Sequence, residues 1–183
     1  MAESISKFVT LDTSYLELLP GESHTISMLI LVSKETQPDT YAGKIRVKGS
    51  GEDLPVNVLL VVVPTKSLFD TFLNINSKTK SVLPGGSIVA DISMFNLAGA
   101  GRFDVKVIYG IKDFDDRLVT SKQQTVAVET RASINGVLEV PRSTSPGQYY
   151  MFAVLRLDNA TVAVGSDTFE VLSPIQLGSK GLV

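Results

Sequence analysis

The sequence contains one histidine, His24, and no cysteine among its 183 residues. A nucleophile with a histidine base, or a histidine-based metal site, would have to form around this residue. Its only ionisable neighbour in the sequence is Glu22. We interpret His24 as a partly exposed residue at the start of a strand, and we predict no catalytic residue. The lack of cysteine excludes disulfides, zinc–thiolate sites and thiol catalysis.

Three carboxylates lie close together in the stretch KDFDDR, at Asp113, Asp115 and Asp116. Clustered carboxylates are ligands that calcium prefers. This stretch lacks the glycine and the downstream glutamate of a calcium loop, and Lys112 and Arg117 flank it. We therefore interpret it as a solvated hairpin loop and predict no metal site.

Two glycine pairs, in GSGED (49–53) and LAGAGR (97–102), have neither a third glycine nor a helix after them. Phosphate binding by such a loop needs the N-terminus of that helix. Both stretches are predicted to be turns, and the chain is predicted to bind no cofactor.

The only complete glycosylation sequon is Asn159-Ala160-Thr161. It lies between apolar segments in a predicted hairpin turn, where its side chain should be accessible. Asn159 is therefore our one candidate modification site.

Two further features concern partners. Lys44, Arg46 and Lys48 fall on one face of a predicted strand, where they protect an exposed edge or, alternatively, meet an anionic glycan or an acidic partner. In the pair Tyr149-Tyr150, one ring should point inward and the other outward, so Tyr150 is the best candidate for an exposed aromatic. The chain has no tryptophan, which disfavours sugar stacking.

The charge balance bears on the class of partner. The net charge is −2 and the pI is about 5.4. The chain therefore lacks the excess of positive charge that is typical of nucleic-acid-binding proteins, and nucleic acid is excluded as the main partner. No apolar run is long enough to span a membrane. The first ten residues contain an acidic residue and no long apolar stretch, so they are not predicted to be a secretory signal. We expect a soluble chain whose membrane contact, if any, lies in segments outside it.

A repeat organises the chain. LLPGES (18–23) and VLPGGS (82–87) are nearly identical, and each is followed by an apolar segment and then by Pro-x-x-Tyr, at Tyr41 and Tyr149. Proline and glycine favour a tight turn. The tyrosine is placed to bury its ring while its hydroxyl reaches the backbone, as in the tyrosine corner of sandwich folds.

The rest of the sequence shows the distribution of apolar and polar residues that is typical of β-strands. Residues 103–109 and 44–48 alternate apolar and charged side chains, which is typical of half-buried antiparallel strands. Residues 25–32 and 54–63 are more uniformly apolar and indicate central strands or strands that a neighbouring domain covers. In the second half, we predict additional strands at 103–111, 118–122, 125–129 and 133–140. No segment shows a helical stripe.

The fold prediction is all-β, with two tandem immunoglobulin-like antiparallel β-sandwich domains. We assign 1–64 to a smaller sandwich, 65–172 to a larger sandwich and 173–183 to a tail or linker. The connection VVPTKS (62–67) is short, so the domains are expected to stack end to end.

Residues 18–63, from LLPGES to LPVNVLLVVV, resemble the immunoglobulin-like repeats of archaeal and bacterial cell-surface proteins. In the second half, NLAGAGRFDVKVIYGI and SPGQYYMFAVLRLDN are similar to CARDB-type (cell-adhesion-related) and S-layer-associated sandwiches. The resemblance covers roughly residues 14–171. It implies an immunoglobulin-like fold and a cell-surface setting, and it assigns no functional residue.

The functional hypothesis is a non-enzymatic structural or adhesive module of a prokaryotic cell-surface or S-layer-associated protein, located outside the cell or in its envelope. It would act through protein partners or self-association, with contacts sought at residues 25–32 and 54–63. Two alternatives remain open. One is a glycan- or protein-binding accessory module of a secreted enzyme, which an exposed aromatic platform would favour. The other is a periplasmic chaperone-like pair of sandwiches, which a long unpaired apolar edge strand would favour.

Overall fold

The computed structural model describes residues 5–49 and 51–173. Two short 3₁₀ turns cover Ile5–Lys7 and Ser77–Thr79, and no helix in these ranges is long and apolar enough to cross a membrane. The strands are β1 (Val9–Leu11), β2 (Met28–Ile30), β3 (Asp39–Gly49), β4 (Glu52–Val62), β5 (Phe69–Ile75), β6 (Ser81–Val82), β7 (Ser87–Asn96), β8 (Phe103–Asp113), β9 (Leu118–Val128), β10 (Arg131–Glu139), β11 (Gly147–Leu157) and β12 (Ala160–Val171).

The second half of the chain is a two-layer sandwich. One sheet has the strand order β10-β7-β5 and the other β6-β12-β11-β8-β9. All pairings are antiparallel except that of the two-residue β6 with β12. Alternate residues of the strands point into the core between the sheets. Val105 and Val107 of β8 and Met151 of β11 enter it from the five-stranded sheet, and Ile92 of β7 enters it from the three-stranded sheet. The predicted all-β, antiparallel sandwich fold is confirmed.

The first half forms two smaller antiparallel sheets, β1-β2 and β3-β4. A small core of Phe8, Tyr41 and Val62, with Leu60 packed against it, joins them. The rings of Phe8 and Tyr41 meet edge to face, with their centroids 4.9 Å apart, a geometry that aromatic pairs prefer. The division at residue 64 stays a prediction, and residues 174–183 of the predicted tail lie outside the described residues.

The two Leu-Pro-Gly stretches form the same turn. The N–H of Glu22 donates to the carbonyl of Leu19 at 3.0 Å, and that of Gly86 to the carbonyl of Leu83 at 2.9 Å. The central glycine has φ = +87° in both copies. This is a type II turn, in which glycine is favoured because the third position needs a positive φ. The prediction that the repeat is a turn is confirmed.

The two Pro-x-x-Tyr stretches are also structurally equivalent. The hydroxyl of Tyr41 donates to the carbonyl of Gln37 at 2.7 Å, and that of Tyr149 to the carbonyl of Ser145 at 2.8 Å. In both cases the acceptor is the residue before the proline, and the ring is buried. Burial, with a smaller contribution from Asp113, raises the pKa of Tyr149, so its hydroxyl stays a donor. The expected tyrosine corner is present in each half.

The additional strands differ from prediction in one place. Segments 118–122 and 125–129, expected to be separate strands, form the single strand β9, which pairs with β8 along most of its length. Gln123 and Gln124 do not interrupt it, because their side chains are exposed and their backbones continue the ladder.

Replacing Tyr149 with phenylalanine removes one buried hydrogen bond and keeps the ring. We expect Tyr149→Phe to lower the free energy of unfolding by about 1 kcal/mol, measured by urea denaturation. Tyr15→Phe is the matched control, because the hydroxyl of Tyr15 also makes a hydrogen bond, to Glu17, on a side chain that is 74% exposed. Equal changes in the free energy of unfolding for the two substitutions would show that the hydrogen bond of Tyr149 stabilises the fold no more than an exposed one does.

Candidate interaction surface

The hairpin β3-β4 forms a third layer on the outer face of the five-stranded sheet. A second hydrophobic cluster joins them, made of Ala42, Phe114, Tyr150, Phe152 and Val154, with Leu59 and Ile108 packed against it. The two halves of the chain therefore lie face against face, and the expected end-to-end stacking is wrong. The physical reason is that β11 carries large apolar side chains on both of its faces, so its outer face also needs a cover.

Polar contacts accompany this apolar cluster. The Lys44 ammonium bonds to Asp115 at 2.8 Å, and the Asn57 amide donates to Gln148 Oε1 at 2.7 Å. The hydrogen bond from Lys44 holds the pKa of Asp115 below its usual range. Both pairs join the hairpin to the second half across long sequence separations, so they fix the position of the hairpin on the sheet.

Tyr150 is fully buried, so the prediction of an exposed aromatic platform at this residue is wrong. Its ring does point away from the sandwich core, as the alternation requires, but the hairpin covers it. The hydroxyl donates to Asp116 Oδ1 at 2.9 Å, and that oxygen also accepts a bond from Lys112 at 2.7 Å. Burial and the neighbouring Asp116 carboxylate raise the pKa of Tyr150, so this tyrosine remains protonated.

The aspartate loop is a hairpin connection between β8 and β9, as predicted, and basic side chains engage its carboxylates. The Arg117 guanidinium bonds to Asp113 at 2.9 Å and to Asp115 at 3.0 Å, which raises the pKa of Arg117. Unlike a solvated loop, it buries the Asp116 carboxylate against Tyr150. In the described ranges, no group of three or more His, Cys, Asp or Glu side chains could hold a metal ion, and His24 is exposed.

The remaining sequence candidates lie in turns. Asp158 and Asn159 connect β11 and β12, with φ values of 50° and 67°. Two positive φ values are typical of a type I′ hairpin turn, where asparagine is favoured. The Asn159 side chain is exposed, so its accessibility is as expected, and its glycosylation stays a prediction. Gly99 and Gly101 adopt positive φ values in the β7–β8 loop.

Residues 26–32 form what we call the apolar strip. Only Met28–Ile30 is a strand, and it pairs with the three residues of β1. Its large apolar side chains are between 39% and 62% exposed: Ile26, Met28, Leu29, Ile30, Leu31 and Val32. A strand does form within 25–32, but it is neither central nor covered by the second half. In the described part of the chain it spans three residues and pairs with β1 alone, and the large apolar side chains of the strip stay about half exposed.

The outer face of the three-stranded sheet carries an aromatic residue that the sequence reasoning missed. Phe72 is 63% exposed and meets Phe95 edge to face at 5.8 Å, while the guanidinium of Arg131 lies over the Phe95 ring at 5.2 Å. Exposed Asp70 and Asp91 flank the rings on the same face. The signal was available, because the alternation in FDTFLNI turns Phe69 and Leu73 inward and leaves Phe72 outside.

No protein-family model matches the sequence, and no curated protein matches it. Solved structures with similar folds include the CARDB domain of a Pyrococcus furiosus protein, described as a complex with di-metal ions, at 16% identity and a TM-score of 0.42, covering 56% of this chain and 91% of that one. A glycosyl hydrolase family 2 member from Bacteroides cellulosilyticus has 15% identity and a TM-score of 0.44, covering 63% and 16%. The sporulation control protein Spo0M from Bacillus subtilis has 9% identity and a TM-score of 0.36, covering 58% and 49%.

The packing of the hairpin can be tested at Leu59, which contacts the outer face of the five-stranded sheet. We expect Leu59→Glu to detach the hairpin, because a charged carboxylate would replace the apolar contact of Leu59 with the cluster and would lose part of its hydration there. Amide exchange in β3 and β4 should then rise by roughly tenfold or more, while the core strands β7 and β8 keep their protection. Val63→Glu, at a residue that is 59% exposed, should leave exchange unchanged. Comparable exchange in the two variants would show that the hairpin contact contributes little.

Proposed function

We propose that this chain is a non-enzymatic structural or adhesive module of a prokaryotic cell-surface protein, and that it acts through protein–protein contacts. The exposed apolar strip carries the proposal. Isolated apolar residues are ordinary on a protein surface, whereas a continuous exposed apolar patch marks a contact site. The strip presents six large apolar side chains within seven consecutive residues.

The strength of such a contact follows from burial. Complete burial of an aliphatic side chain contributes about 1.5–3 kcal/mol, so covering six that are already half buried contributes on the order of 5 kcal/mol. Association itself costs roughly 4–15 kcal/mol. A single strip therefore supports a weak contact that becomes effective when many copies act together, as on a cell surface.

The proposed setting is extracellular or in the cell envelope, with S-layer association as its most specific form. An accessible sequon at Asn159 and the absence of cysteine from the sequence are compatible with it. The proposed partners are other proteins or further copies of this chain. The net charge of −2 disfavours nucleic acid, and we place any membrane attachment in segments outside this chain.

The strip can be tested by placing charge on it. We expect the wild-type chain to self-associate with rising concentration, and the double variant Leu29→Lys, Leu31→Lys to remain monomeric in sedimentation velocity, because two ammonium groups would have to be desolvated at the contact. Leu118→Lys is the matched control, since Leu118 and Leu29 are both 57% exposed and Leu118 lies outside the strip. Two results would refute self-association through the strip. One is a wild-type chain that stays monomeric at millimolar concentration, and the other is a Leu118→Lys variant that loses self-association as fully as the double variant.

A second candidate function, glycan binding, is favoured by the outer face of the three-stranded sheet. Phe72 offers an exposed ring on which a sugar can stack, and Asp70 and Asp91 offer acceptors for sugar hydroxyls. This arrangement follows the usual form of a small-molecule site, an apolar surface with a few placed polar groups.

We expect Phe72→Ala to abolish retention of the chain on immobilised polysaccharides, because the stacking surface is lost. Leu97→Ala is the control, because Leu97 is similarly exposed, at 60%, in the loop after β7. Affinity electrophoresis with a panel of neutral and acidic polysaccharides provides the measurement. If the wild-type chain is not retarded by any of them, this second candidate is wrong.

A further inference from the structure

The hairpin β3-β4 has two faces of different chemistry. Directly opposite residues of an antiparallel pair lie on the same face, and so do residues two apart along one strand. Ala42 and Leu59 lie opposite each other and pack on the five-stranded sheet. Towards the tip of the hairpin, the same face continues with charged side chains: Lys44, Arg46, Lys48 and Asp53. An antiparallel strand with one charged face usually buries its other face, so the apolar face of this hairpin is the one that needs a cover.

The base of the apolar face is covered by the residues that lead into β1. Phe8 packs there on Tyr41 and Val62. Ile5 lies against Gly43, so closely that a side chain at that position would overlap it. These contacts hold the layer β1-β2, and with it part of the apolar strip, against the base of the hairpin.

The same face stays apolar towards the tip of the hairpin but is much more exposed there. Val47 lies opposite Leu54, and Ile45 lies opposite Val56. Val47, Leu54 and Val56 are about half exposed, and Ile45 is partly buried. We call these four residues the distal hairpin face. Four apolar side chains in two opposite pairs form a continuous patch, and such a patch marks a contact site.

We propose that the distal hairpin face binds the apolar strip of a second copy of this chain. The proposal rests on the self-association proposed above and names the surface that the strip meets. The occupant follows from a contact that the chain already makes. Within one molecule, the layer that carries the strip covers the base of this face through Phe8 and Tyr41. The strip of a second copy would continue that cover over the exposed remainder of the same face.

The balance of apolar surface favours this contact over one between two strips. Each copy has one strip and one distal hairpin face, both about half exposed. A contact between the two unlike surfaces covers both of them, whereas a contact between two strips leaves every distal hairpin face in water. Neither surface carries a charged side chain, so no charge has to be desolvated when they meet.

The test uses two double variants, each with two lysines on one surface. Leu29→Lys, Leu31→Lys alters the strip, and Val47→Lys, Val56→Lys alters the distal hairpin face at two residues that are not opposite each other. We expect each variant alone to self-associate at least about tenfold more weakly than the wild-type chain in sedimentation velocity, because ammonium groups would have to be desolvated at the contact. 

The matched control is Leu97→Lys, Leu118→Lys. Both leucines are exposed to a similar degree and lie in the second half, outside the strip and the distal hairpin face. The control carries the same added charge, so it should self-associate as the wild-type chain does.

An equimolar mixture of the strip variant and the distal-face variant gives the decisive result. We expect the mixture to associate, because the unaltered strip of one chain meets the unaltered distal hairpin face of the other. Both variants carry the same added charge, so attraction between the introduced groups does not contribute.

The absence of cysteine from the sequence allows the contact to be mapped by disulfide formation. Chains with Leu29→Cys are mixed with chains with Val56→Cys and mildly oxidised, and mass spectrometry distinguishes mixed dimers from dimers of like chains. We expect mixed dimers to predominate, and few to form when Leu118→Cys replaces Val56→Cys. Cysteine is a small, weakly polar side chain, so this measurement stands even where the lysines disturb the hairpin.

Three results would each overturn this contact while leaving the proposed self-association in place. They are a distal-face variant that self-associates as the wild-type chain does, a mixture of the two lysine variants that stays monomeric, and disulfides formed mainly between two Leu29→Cys chains. A wild-type chain that stays monomeric at millimolar concentration would instead refute the proposed self-association itself, and this contact with it.

Discussion

The structure depends on the burial of β11 on both faces. Met151 and Leu155 point into the sandwich core, while Tyr150 and Phe152 point to the opposite side and are covered by the hairpin β3-β4. An antiparallel strand usually keeps one face in water, so burial of the second face needs another layer. The first half of the chain supplies that layer, and it thereby acquires a fixed position that its own small core, centred on Phe8 and Tyr41, would not give it.

Features that depend on a few neighbouring residues could be predicted from the sequence. The two Leu-Pro-Gly turns need only proline's restricted φ and glycine's positive φ, and the two tyrosine corners need only a hydroxyl four residues from a carbonyl. Alternation in β8 likewise places Val105 and Val107 in the core whatever covers the other face. These local rules apply equally in both halves, although the sheets built on them differ.

Features that depend on distant segments could not be predicted. Alternation predicts correctly that Tyr150 points away from the core. Whether that face of β11 is exposed to solvent depends on a hairpin more than 80 residues earlier in the chain. The same limit applies to the apolar strip. Its composition indicates burial, and only the absence of a covering layer in the described residues reveals exposure. Phe72 is the reverse case, because the alternation of its own strand is sufficient to predict that its side chain is exposed.

The unequal burial of the two halves has a physical consequence for function. The second half closes its own core between two sheets. The first half leaves the apolar strip, the distal part of the hairpin and the edge of β3 uncovered, so a ligand or partner that covers them stabilises the folded state relative to the unfolded state. The cluster around Tyr150 and the ion pair of Lys44 with Asp115 join these uncovered surfaces to the sandwich.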